Sequence, residues 1–113
     1  MSGITTHVLD TSRGRPASGV PVVLEIRAED GWRELARATT DDDGRVRQLL
    51  PAGASLIPGV YRLTFDLGRY FAAREVEGFY PEAAIVFDVR DAAQHYHVPL
   101  LLSPFGYSTY RGS

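Results

Sequence analysis

At 113 residues, 44% hydrophobic and 23% charged, the chain has the composition of one ordinary globular domain, residues 1–113, with room for a single core. A net charge of -2 argues against nucleic acid or an anionic membrane as partner, and no apolar run approaches the roughly 18 residues of a membrane span. Cysteine and lysine are both absent, which excludes disulfides, thiolate chemistry and lysine Schiff bases; any positive charge in a site is guanidinium or imidazolium.

The first seven residues lack a basic stretch followed by an apolar one, so no secretory leader is read, and Arg111-Gly112-Ser113 is not a peroxisomal address. The default expectation is a cytoplasmic protein. Residues 4–10 alternate, with Ile4, Thr6 and Val8 on one face and Thr5, His7 and Leu9 on the other. A turn-rich stretch over 11–19 leads to a strand over 20–28, with Val20, Val22, Leu24 and Ile26 inward. Asp30-Gly31 marks a hairpin turn into a second strand over 32–40.

Asp41-Asp42-Asp43-Gly44 is a tight acidic turn that delivers the chain to Arg45 and the run to Leu49. A loop over 51–59 precedes a strand over 60–67, in which Tyr61, Leu63, Phe65 and Leu67 share a face. Residues 69–75 contain no Gly or Pro and predict about two helical turns. Strands follow over 84–90, 95–102 and 106–111. Seven or eight short strands with at most one short helix predict an all-β sandwich.

Three features could carry chemistry. His95 and His97, at i and i+2 on a strand, share one face while Tyr96, Val98, Leu100 and Leu102 take the core side. Two imidazoles on a strand could chelate zinc with His7 as a third ligand. No thiolate is available and no carboxylate sits at a familiar spacing, so neither a metal nor another cofactor is expected. Arg45 follows a turn that fixes its backbone; its plain alternative is an exposed ion pair with one of the preceding aspartates. The segment from Tyr107 to Ser113 reads either as an edge strand or as a site wall of hydroxyls, a guanidinium and a carboxylate. No phosphate-binding glycine loop, nucleophile elbow or basic stripe with stacking aromatics is present.

Thr6-His7-Val8-Leu9-Asp10-Thr11 with Gly14-Arg15-Pro16-Ala17, and His95-Tyr96-His97-Val98-Pro99-Leu100-Leu101-Leu102-Ser103-Pro104 running into Tyr107–Ser113, resemble the opening and closing signatures of 5-hydroxyisourate hydrolases in the transthyretin-like family. Asp43-Gly44-Arg45 and Phe79-Tyr80-Pro81-Glu82 fall between them in that family's order. The resemblance implies a transthyretin-like (prealbumin-like) β-sandwich of two four-stranded sheets with one short helix, and a homotetramer with sites at a subunit interface. It also implies a role in urate and purine degradation, the hydrolysis of 5-hydroxyisourate to 2-oxo-4-hydroxy-4-carboxy-5-ureidoimidazoline.

Carried over residue by residue, the resemblance implies His7, Arg45, His97 and Ser113 as catalytic residues. It implies His7, Arg45, Tyr110 and Arg111 as substrate-binding residues. A neutral histidine suits the activation of water, and a guanidinium suits anchoring a flat anionic heterocycle. Which of His7 and His97 is the base stays open. Two rivals share the fold: a non-catalytic carrier of a small aromatic ligand, and a structural module of a larger assembly. The intact His7, Arg45, His97 and Tyr110 argue against the first, and the lack of linker sequence argues against the second.

Overall fold

A computed structural model describes residues 3–113. Met1 and Ser2, part of the stretch read for a leader, lie outside the described residues. The elements in chain order are β1 Gly3–Asp10, β2 Arg15–Pro16, β3 Pro21–Ala28, β4 Gly31–Thr39, β5 Arg45–Val46, β6 Gly59–Asp66, α1 Leu67–Ala73, β7 Glu82–Val89, β8 His95–Ser103 and β9 Gly106–Thr109.

The strands form two sheets packed face to face. One runs β4-β3-β6-β7 and is antiparallel throughout. The other runs β2-β1-β8-β9, and β5 also pairs with β1. The expected four-by-four sandwich is therefore present, with one addition. β8 takes one edge of β1, and the short strands β5 and β2 share the opposite edge, at Thr6–His7 and Leu9–Asp10 respectively. The β1–β8 pair is parallel, so the first and last long strands lie side by side, with Thr5 opposite His97.

Alternation decides which residues enter the core. Ile4 and Val8 of β1, Val22 and Leu24 of β3, Tyr61, Leu63 and Phe65 of β6, and Val98, Leu100 and Leu102 of β8 are all buried against one another. Within each strand they are an even number of residues apart, so Thr5, His7, His95 and His97 face away from this core. Two buried hydroxyls inside it are satisfied. Thr6 Oγ1 donates to the Val98 carbonyl at 2.6 Å, and Thr40 Oγ1 donates to the Ala17 carbonyl at 2.6 Å.

The helix lies two residues earlier than residues 69–75. Asp66 is its N-cap and accepts from the Arg69 backbone N–H at 2.9 Å, so the strand ends one residue before Leu67 and the helix begins there. Leu67 is buried in either setting, which is why strand alternation alone extends too far. Tyr70 anchors the helix to β1 by donating to Asp10 Oδ2 at 2.8 Å, and Ser12 donates to Oδ1 through its hydroxyl and its N–H. Burial alone would raise the Asp10 carboxyl, but these hydrogen bonds outweigh it and hold the group below its ordinary value. Among the described residues no helix is long and apolar enough to cross a membrane.

Candidate active site

The site is built on the outer face of β1 and β8, the side the alternation leaves free. Thr5, Thr6, Arg45, Val46, Arg47, His95, His97 and Ser113 line an open cleft of about 280 Å³. Residues from both ends of the chain thus meet with the Asp41–Gly44 turn.

The turn places Arg45 through backbone chemistry. Asp41 Oδ1 accepts from the N–H groups of Asp43 and Arg45, each at 2.9 Å, and Gly44 N–H donates to the Asp41 carbonyl at 2.9 Å. The Gly44 carbonyl then accepts from Val8 N–H at 2.7 Å, which stitches the turn to β1. Gly44 has φ +74°, and a Cβ there would collide with the Val8 carbonyl oxygen and crowd Ala17 N. Only glycine allows this approach. The result is the register His7 opposite Arg45.

The aspartates do not claim Arg45. They take Arg47 instead, which lies 3.8 Å from Asp41 and 3.2 Å from Asp43. Among the described residues no carboxylate lies within ion-pair distance of the Arg45 guanidinium. The plain alternative, an arginine paired with its own turn, is therefore the geometry of Arg47.

The histidines sit in the field of that guanidinium. His97 is half-buried; burial and then Arg45 lower its pKa, with His7 and His95 adding to the effect. The pKa of His7, also half-buried, is lowered first by burial and next by Arg45, against the opposing pull of Asp41 and Asp43. Both imidazoles are neutral at neutral pH, the state in which a ring nitrogen can take a proton.

Thr5 is a part of the site that sequence reasoning left out. Its Oγ1 lies 2.8 Å from His97 Nδ1 and 3.0 Å from His95 Nε2. The only signal in the sequence was its place on the same face of the strand as His7. His95, kept out of the candidate site residues, also lines the cleft.

The C-terminal segment divides. The strand stops at Thr109, two residues short of the expected end, and Gly112 then bridges to β8, its N–H donating to the His97 carbonyl at 2.9 Å. A Cβ at Gly112 would stand 2.5 Å from His97 Cδ2, so glycine lets the chain lie flat on the imidazole and deliver Ser113 to the cleft. Tyr110 and Arg111 line a neighbouring, more apolar recess with Ile85, Phe87 and His97. Arg111 stacks over the Tyr96 ring at 4.6 Å and donates to Gln94 Oε1 at 3.0 Å. His97 is the wall common to both depressions. Among the described residues no three or more histidine or carboxylate side chains cluster as metal ligands.

Comparison with known proteins agrees in sequence and shape. A family model described as HIUase/Transthyretin family matches residues 4–112. A probable 5-hydroxyisourate hydrolase of Caenorhabditis elegans is 51% identical over 112 residues, spanning 99% of this chain and 82% of that protein. The solved 5-hydroxyisourate hydrolase of Klebsiella pneumoniae superposes with a TM-score of 0.86 at 39% identity, covering 99% of this chain and all of that one. Sea bream transthyretin, solved in complex with thyroxine, superposes with a TM-score of 0.89 at 32% identity, covering 96% and 93%.

Proposed function

The chain belongs to the HIUase/Transthyretin family, and from that premise we propose that it hydrolyses 5-hydroxyisourate to 2-oxo-4-hydroxy-4-carboxy-5-ureidoimidazoline, a step of urate degradation. One observation carries the reading: Arg45, with no carboxylate partner among the described residues, shares an open cleft with His97, whose pKa is lowered by burial and by that guanidinium.

The reaction opens a cyclic amide. Water adds its oxygen to the ring carbonyl carbon and the carbon–nitrogen bond breaks; the nitrogen departs with one water proton, and the carbon is left as a carboxylic acid that gives the other proton to solvent and becomes a carboxylate. His97 or His7 accepts the water proton and returns it to the departing nitrogen. Arg45 holds the anionic heterocycle and stabilises charge on the carbonyl oxygen as the tetrahedral intermediate forms. Ser113, in the cleft, hydrogen-bonds the water or the ring. Tyr110 and Arg111 contact the substrate from the recess on the other side of His97. No metal takes part.

The chemistry belongs to a homotetramer whose subunits meet over these clefts. Supporting this, β7 and β9 end their sheets, and the cleft is open on one side in the single chain. Light scattering on the eluting protein should give four times the 12.5 kDa chain mass. The similarity to transthyretin favours one rival, a carrier of an aromatic ligand without catalysis. One measurement decides between them. The ultraviolet decay of freshly made 5-hydroxyisourate is followed with and without protein, and a decay no faster than the spontaneous one would falsify the hydrolase reading.

A further inference from the structure

The Thr5 hydroxyl has one proton to donate and two lone pairs. It lies between two imidazole nitrogens, His97 Nδ1 at 2.8 Å and His95 Nε2 at 3.0 Å. The parallel register of β1 and β8 puts it there, since Thr5 is opposite His97 and the two histidines are spaced i, i+2 on one face. When both rings are neutral, a relay through the hydroxyl has two settings. In one, His97 Nδ1–H donates to Oγ1 and the hydroxyl donates to His95 Nε2. In the other, both bonds reverse, and His97 carries its proton on Nε2.

The settings differ in chemistry. Only the first leaves His97 Nε2 with a free lone pair. One further contact fixes the ring that the relay joins. Gly112 covers the Cδ2 edge of the ring, which keeps the imidazole from turning over and exchanging its nitrogens.

We propose that Thr5 is a positioning residue for the hydrolysis: its hydroxyl, between His97 Nδ1 and His95 Nε2, holds the His97 proton on Nδ1 and leaves Nε2 as the base that takes the proton of water. The inference rests on the hydrolase reading above and selects His97 as the base that reading leaves open. As water adds to the carbonyl carbon, its proton moves to Nε2. Nδ1 keeps its own proton throughout, and the Nδ1–H···Oγ1 bond strengthens because the donor is now charged. The proton on Nε2 then passes to the leaving nitrogen, which restores the neutral ring. His95, exposed at the far end, accepts the Thr5 hydroxyl and fixes its direction.

The test combines histidine nitrogen-15 chemical shifts with steady-state kinetics on the full chain. Wild type should show a protonated Nδ1 and an unprotonated Nε2 at His97 when the ring is neutral. Thr5→Val, which keeps the side-chain shape, should lose this tautomer. It should also lower kcat about 10- to 100-fold with KM nearly unchanged, the scale typical of a group that orients an imidazole. Thr5→Ser should restore both the tautomer and the rate. A wild-type His97 protonated on Nε2 overturns the proposal even if Thr5→Val does not fold. So does a Thr5→Val protein that keeps the wild-type rate, or that loses rate while its nitrogen shifts stay unchanged. If wild type does not accelerate the decay of 5-hydroxyisourate at all, the hydrolase reading fails, and the nitrogen shifts still report the tautomer separately.

Discussion

The two outer faces of the sandwich are both polar, yet they treat charge in opposite ways. On the β3–β4–β6 face, Arg62 donates twice to Glu25 Oε1, at 2.7 and 2.9 Å, from the cross-strand register Glu25–Arg62. The same guanidinium stacks 4.3 Å over Trp32, and Arg27 covers that ring at 5.1 Å. These charged groups have found partners within the chain. On the β1–β8 face, Arg45 has no carboxylate partner among the described residues, and the half-buried histidines are held neutral. A self-satisfied charge stabilises the fold modestly, whereas a charge fixed by backbone and left unpaired is available to a ligand.

The largest effect should come from the unpaired face. Arg45→Ala or His97→Ala should reduce kcat/KM by about 10²- to 10⁴-fold while the thermal midpoint stays within a few degrees of wild type. Wild-type turnover in either variant would remove that residue from the mechanism. Gly44→Ala should be milder in rate and worse in stability. The positive φ and the clash with the Val8 carbonyl should cost about 2 kcal/mol or more, read as a lower urea midpoint, with activity falling because Arg45 shifts.

The pH dependence sharpens the contrast further. Because the pKa values of His7 and His97 are lowered from 6.5, turnover should stay level as the pH falls through 6.5 and decline only below it. Stability follows the same groups. An unfolded histidine takes up its proton near pH 6.5 while the folded one resists, so stability is lost as the pH falls from about 7 towards the folded pKa. Replacing His97 with Gln should weaken that slope in acid-titrated thermal melts. The smallest effect belongs to the paired face. Glu25→Gln should cost about 1 kcal/mol of stability and leave kcat/KM unchanged.

Alternation made much of the fold legible. It assigned the inward residues of β1, β3, β6 and β8 correctly because a half-buried strand must repeat every two residues. It failed where that rule lapses. Leu67 fits the strand pattern of β6 but opens the helix, since the Asp66 cap acts through hydrogen bonds that a hydrophobic pattern does not record. The site was legible mainly through resemblance. His95 and His97 announced a shared face, but nothing in the composition tells a structural threonine from Thr5, whose partners lie 90 and 92 positions away. Likewise Arg45 and Arg47 flank one residue of the same strand, and only the turn geometry determines which one the aspartates claim.

The parallel pairing of β1 with β8 also sets a timetable. The sheet made of β3, β4, β6 and β7 is drawn from residues 21–89, a stretch that gives only the short β5 to the other sheet, and its β3–β4 and β6–β7 pairings are close in the chain. The sheet that carries the site must instead bring residue 5 to residue 97, a closure across most of the polypeptide. Such contacts carry the greatest loop entropy and form slowly. During synthesis β1 waits with no long partner until β8 has left the ribosome. The cleft between β1, β8 and the Asp41–Gly44 turn is therefore completed last.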